Sequence, residues 1–210
     1  MEIIPTQTFL NLSIKKQERI LEASINEFSK RNYEQAKLSN IIKESNIPRG
    51  SFYQYFEDKK DLYLYLFDRV AQKKIQYMGD LIPNPDKIPF LTLFFEMYKR
   101  GAMFAIENPK FIKITANLLS SKGDIYNELI GNNMNIAKQF YIGYINQDKE
   151  LGRIREDIDS EVLAELVINM TTNIAIDNFV ISDSELQLDK MIEKIEKTIN
   201  IFKKGIQTGE

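Results

Sequence analysis

The run from Lys37 to Phe56, KLSNIIKESNIPRGSFYQYF, constrains this chain more than any other stretch. It reads as two short helical segments around a three-residue turn. Leu38, Ile41 and Ile42 fall at i, i+3 and i+4, so they share one apolar face. Ser45-Asn46-Ile47 is the turn, and Asn46 is the residue there that best tolerates a left-handed backbone. Pro48 opens the second segment, where its missing N–H has no intrahelical acceptor to lose. A segment from about Pro48 to Tyr55 is too short to persist alone and must be docked on a neighbour. A short helix set across another through a tight turn is the arrangement that enters the DNA major groove.

This run resembles the DNA-binding motif of TetR-type repressors, and the similarity extends from about Ser13 to Leu66. Ile20-Leu21-Glu22-Ala23-Ser24 and Phe28 match the family's first-helix pattern. Leu38 to Ile42 match its short second helix, and Arg49 to Phe56 its recognition helix with an aromatic end. Asp58-Lys59-Lys60-Asp61-Leu62 match the opening of the helix that follows. Three positions depart from the pattern. Asn32 and Asn46 stand where glycine is usual, and both can hold a positive φ. Pro48 stands where a capping Ser is usual, which alters the entry to the recognition helix.

The resemblance implies an all-α protein. An N-terminal helix-turn-helix domain is expected over 13–74, with its motif at about 37–56. A larger helical domain for ligand binding and dimerisation is expected over 75–210. The pattern of the chain agrees with helix nearly throughout. Apolar periodicity predicts helices from Ser13 to Arg31, with Leu21, Ser24, Ile25 and Phe28 inward, and from Asp58 past Tyr77. Further helices are predicted over 89–108, from Pro109, over 124–147 with a break near Gly131, over 160–181 capped by Asp157 or Asp159, and over 185–204. Pro83-Asn84-Pro85-Asp86 is the clearest linker.

Composition narrows the chemistry. The chain has neither Cys nor His among its 210 residues, so thiolate and His-based nucleophilic sites cannot be built and zinc loses its preferred ligands. The nine Gly are scattered and form no phosphate-cradling loop. No cofactor or metal is expected, and an enzyme would have to rely on carboxylates alone. No apolar run is long enough to span a bilayer and no signal peptide is legible, so a cytoplasmic protein without membrane contact is expected. Net charge is −2 overall, but residues 1–60 hold ten Lys/Arg against eight Asp/Glu, and the remainder is net −4. The basic excess lies at the end expected to meet phosphates.

Arg49 and Gln54 are the natural base readers, because Arg pairs with guanine and Gln with adenine through two parallel hydrogen bonds. Gly50 lets the backbone approach the duplex. Ser51, Tyr53 and Tyr55 carry hydroxyls suited to phosphate oxygens, and Lys37 and Ser39 start the second helix near the DNA backbone. Lys59 corresponds to the family's phosphate clamp. Phe52 and Phe56 are read as core.

One such motif reads few base pairs, so a homodimer on a near-palindromic double-stranded operator is expected. Leu188, Ile192, Ile195, Ile199, Phe202 and Ile206 are spaced 4, 3, 4, 3, 4 as a helix-pairing seam of the last helix, and Ile168, Ala175 and Phe179 lie on a small-residue face of the one before. Together they resemble the family's dimer interface. The resemblance also implies a small-molecule effector that releases DNA. Phe94, Tyr98, Met134, Tyr141, Met170 and Asn173 are candidates to line its pocket, and a hydrophobic or amphipathic ligand suits their chemistry. A helical adaptor that no longer reads DNA is the competing expectation.

Overall fold

The computed structural model describes residues 5–81, 87–121, 123–180 and 188–206; for residues 80, 131–133, 171–180 and 188–191 the backbone alone is described. The expected linker at Pro83–Asp86 lies outside these residues. Among the described residues the structure is helical throughout, with no strand. The helices are α1 (Gln7–Leu10), α2 (Ile14–Lys30), α3 (Leu38–Glu44), α4 (Arg49–Tyr55), α5 (Lys59–Met78), α6 (Phe90–Glu107), α7 (Pro109–Ser121), α8 (Asp124–Tyr126), α9 (Asn132–Glu150), α10 (Ser160–Val180) and α11 (Leu188–Ile206). The break expected near Gly131 is a π-helical stretch, Asn127–Gly131, between α8 and α9.

The chain divides into two compact units. The first comprises Met1–Lys73 with Asn108–Leu129, and the second Lys74–Glu107 with Ile130–Glu210. The first unit therefore takes in α7 and α8, which lie beyond the boundary expected at residue 74.

In the first unit, α2 packs against α3 and α7, and α1 against α4. The buried stripe of α2 is Ile20, Ala23, Ser24, Glu27 and Phe28, while Leu21 and Ile25 are only half-buried. Apolar counting alone passes over this register because one of its buried members is a carboxylate. Asn117 Nδ2 on α7 donates to the carbonyl of Phe28 at 3.1 Å, and Lys110 Nζ donates to Asn26 Oδ1 at 2.6 Å. Asn32 does not take a positive φ. Its side-chain oxygen instead accepts the N–H of Gln35 at 2.9 Å, the local turn bond that Asn forms readily.

In the second unit, α6 packs against α9 and α11, and α10 against α9. Buried Asp148 on α9 ties the start of α6. Its Oδ2 accepts the N–H of Phe90 at 2.7 Å, one of the orphan donors at a helix start, while Oδ1 pairs with Arg153 at 3.0 Å. Asp159 caps α10, its Oδ1 accepting the N–H groups of Glu161 at 2.9 Å and Val162 at 3.0 Å.

Candidate nucleic-acid interface

The turn between α3 and α4 has a defined construction. Asn46 takes φ +50°, the only non-Gly residue with positive φ among the described residues. The Asn46 N–H reaches the carbonyl of Lys43 at 3.1 Å and the Ile47 N–H that of Ile42 at 3.3 Å. These are the two bonds of a Schellman cap, with Asn in the place usually held by Gly. Buried Ser45 adds a third tie, its hydroxyl donating to the carbonyl of Ile41 at 2.7 Å. Pro48 is extended at ψ 143° and precedes α4 with no side-chain cap; its carbonyl accepts the Ser51 N–H at 3.0 Å.

This geometry splits α4 into two faces. Phe52 and the following Phe56 are buried, as expected of core aromatics. Arg49, Gly50, Tyr53 and Gln54 are exposed, Tyr53 at 49 %, and Ser51 is half-buried. A Cβ built on Gly50 meets no atom within 4 Å. The absent side chain is therefore not required by packing within the protein, and it leaves the helix backbone open to something outside. Lys37 and Ser39 are exposed at the start of α3.

Two expected contacts turn inward. Tyr55 is buried, and its hydroxyl accepts from Lys16 Nζ at 3.0 Å, because the last turn of α4 packs toward α1 and α2 rather than outward. Lys59 donates to the carbonyls of Tyr33 at 2.6 Å and Ala36 at 3.1 Å, and its ammonium lies 4.5 Å from the Tyr33 ring centre. Burial pushes its pKa down, partly offset by Glu34. Its donors close the α2–α3 loop instead of reaching outward. The neighbouring Lys60 pairs with Glu128 at 2.8 Å.

The positioning group that sequence reasoning missed is Glu27. Only 4 % exposed, its carboxylate accepts from the Lys37 N–H at 2.9 Å, from Asn40 Nδ2 at 3.1 Å and from Arg31 Nη1 at 2.9 Å. A carboxylate at the amino end of α3 complements the helix dipole and fixes where that helix begins. The available signal was its spacing: Glu27 lies seven residues after Ile20 and four after Ala23, on the buried stripe.

The expected effector residues lie in the second unit. Phe94 is fully buried; it and Phe90 flank Tyr141, with ring centres 6.2 and 5.9 Å from it. Tyr98, Tyr141 and Met170 pack on the same cluster, whereas Met134 is half-buried outside it. The side chain of Asn173 lies outside the described residues. The Tyr98 hydroxyl is closed off from solvent and has no hydrogen-bond partner among the described residues, and burial raises its pKa to about 12.

Among the expected dimer residues, Ile195 and Ile199 are 0 % and 4 % exposed and belong to the protomer's own core. They turn inward because α11 lays its apolar seam on α6. Ile168 is buried too, Ile192 and Phe202 are half-buried, and the side chains of Ala175 and Phe179 lie outside the described residues. The large apolar side chains left outward on these two helices include Val162, Leu166 and Ile201. Among the described residues no acidic cluster suits a metal ion and no helix is long and apolar enough to cross a membrane.

A Schellman-turned helix pair presenting Arg49 and Gln54 over a buried aromatic footing defines a helix-turn-helix DNA-binding protein. Residues 20–66 match the family of bacterial regulatory proteins described as the tetR family. Over those residues the chain carries the amino-terminal DNA-binding domain of the TetR family of regulators. It is similar to the fatty acid metabolism regulator protein of Bacillus subtilis, 22% identical over 173 residues that cover 81% of this chain and 86% of that one. A TetR family transcriptional regulator from Chloroflexus aurantiacus shares the fold with a TM-score of 0.77 at 22% identity, over 99% of this chain and 100% of that one. The regulator FadR from Bacillus subtilis, solved in complex with stearoyl-CoA, aligns with a TM-score of 0.69 at 18% identity, over 87% and 96% of the two chains. These relatives are regulators, not enzymes.

Proposed function

We propose that this chain represses transcription by binding a near-palindromic operator as a twofold dimer, and that a hydrophobic or amphipathic small molecule releases it. The exposed face of α4 carries the DNA-reading half of this proposal. Arg49 and Gln54 stand outward from a helix whose other face is locked by Phe52 and Phe56, so base-reading groups are presented on a rigid footing. Arg49 reads guanine, and Gln54 reads adenine. Ser51, Tyr53, Lys37 and Ser39 hold phosphate oxygens, and Gly50 admits the backbone of the helix close to the duplex. Two copies are needed because one motif covers too few base pairs for useful selectivity.

The effector half is supported by the aromatic cluster around Phe94, Tyr98 and Tyr141, and by the acyl-CoA bound to the FadR relative. An enclosed hydroxyl with no partner costs about 1–3 kcal/mol, a cost that a ligand oxygen would offset. An acyl compound suits such a site: a long apolar body for the aromatic and Met side chains, and an oxygen for Tyr98. Release requires that the ligand favour the conformer that does not fit DNA, since equal affinity for both shifts nothing.

Fluorescence anisotropy with a duplex from the gene's own upstream region, repeated across salt concentrations, tests the reading. A large and salt-robust preference over scrambled DNA is expected, with release on adding stearoyl-CoA. Equal binding to both duplexes sinks the DNA-reading role.

A further inference from the structure

The segment ahead of the family-matched residues is tied to the recognition helix. Helix α4 ends at Tyr55 without a glycine after it and without a basic residue in its last turn, so its last carbonyls lack the usual local partners. Thr6, some 48 residues earlier, supplies them. Its N–H donates to the carbonyl of Tyr55 at 3.1 Å, and its hydroxyl donates to the carbonyl of Gln54 at 2.7 Å. The Thr6 hydroxyl also accepts the Phe9 N–H at 3.4 Å, which caps α1. Phe9, 0 % exposed, then plugs the space beneath, with ring centres 6.0 Å from Tyr55, 4.9 Å from Phe56 and 5.5 Å from Tyr65.

We infer that residues 5–12 are a brace for the recognition helix, and that Thr6 is a positioning residue for sequence reading at its carboxyl end. The inference rests on the DNA-reading role proposed above. Gln54 lies in the turn whose carbonyls Thr6 holds, and its own carbonyl is one of the two acceptors. Arg49 lies at the other end of the same helix, held by the Asn46 turn. The two base readers are thus fixed by separate devices, and loss of one leaves the other in place. Without the Thr6 bonds the last turn of α4 frays, and the Gln54 side chain samples many positions over the groove.

The test uses the full chain and duplexes selected from a random library by the parent protein. Base preference is then measured position by position for Thr6→Val, which keeps the side-chain shape without the hydroxyl, and for Thr6→Ser, which keeps the hydroxyl. For Thr6→Val, affinity for the selected site is expected to fall about 3- to 10-fold, as for loss of one helix cap. The loss of preference is expected at base pairs that Gln54→Ala also flattens, and not at those that Arg49→Ala flattens. Thr6→Ser is expected to restore the parent pattern. A merely structural role lowers the melting temperature without moving one subset of positions. Parent-like preference in Thr6→Val, or a uniform loss at every position, overturns the inference. A parent that enriches no sequence at all removes the DNA-reading role, and the brace with it.

Discussion

Arg49 and Gly50 sit side by side on α4 and yield opposite tests. Arg49→Ala is expected to weaken operator binding by about 1–3 kcal/mol and to relax selection at one base pair. A titration in which cognate and scrambled duplexes weaken equally refutes its role. Gly50→Ala adds a methyl group into open space, so the free protein should gain about 0.5–1 kcal/mol in stability from the better helix former. Operator affinity should fall at the same time, because the methyl stands where the duplex approaches. Thermal melting and anisotropy on the same variant read the two signs. Tyr98→Phe makes a similar pair: removing an enclosed hydroxyl that has no partner among the described residues should raise stability by about 1–3 kcal/mol while weakening effector binding. Stability that falls shows that the hydroxyl has a partner in solution. The outward residues of α4 were legible because residue type and helical spacing name them. The inward turn of Tyr55 was not, since a phenol suits both a phosphate and a core, and only the position of Lys16 decides between them.

At the scale of elements, the starts of α5, α6, α7 and α10 follow from Asp58, Pro89, Pro109 and Asp159, which the sequence displays, whereas Ser13 precedes α2 without a side-chain capping bond. The α3–α4 turn follows from Asn46 in the same way. The tie between α2 and α3 did not, because it runs through a charged group that looks like solvated surface in one dimension. Glu27→Gln should cost about 1–3 kcal/mol, since one of its oxygens becomes a donor facing donors. Lys59 shows the same limit from the other side. Resemblance placed it on phosphate, whereas its ammonium closes the α2–α3 loop. Lys59→Met should therefore lower the melting temperature and leave the salt dependence of operator binding nearly unchanged. A true phosphate contact would reduce the slope of log affinity against log salt by about 0.9. A slope reduced by that amount would restore the clamp role.

For the whole molecule, the spacing along α11 predicts an apolar seam, and the family resemblance gives that seam to a partner. Ile195 and Ile199 spend it instead on the protomer's own core. Periodicity reports that a face is covered, and it does not say by which chain. Dimerisation is then expected through outward positions such as Val162, Leu166 and Ile201. Leu166→Glu should halve the mass seen by sedimentation at micromolar concentration and leave the helical content intact. A parent protein that sediments as a monomer removes the twofold model. The attachment of Thr6 beside Gln54 has a practical consequence for anyone handling this protein. A label attached at exposed position 7, next to Thr6, stands beside the surface assigned to the duplex, so a basic label there adds attraction of its own and a bulky one adds obstruction. Operator constants from material labelled in that way describe the label as much as the protein.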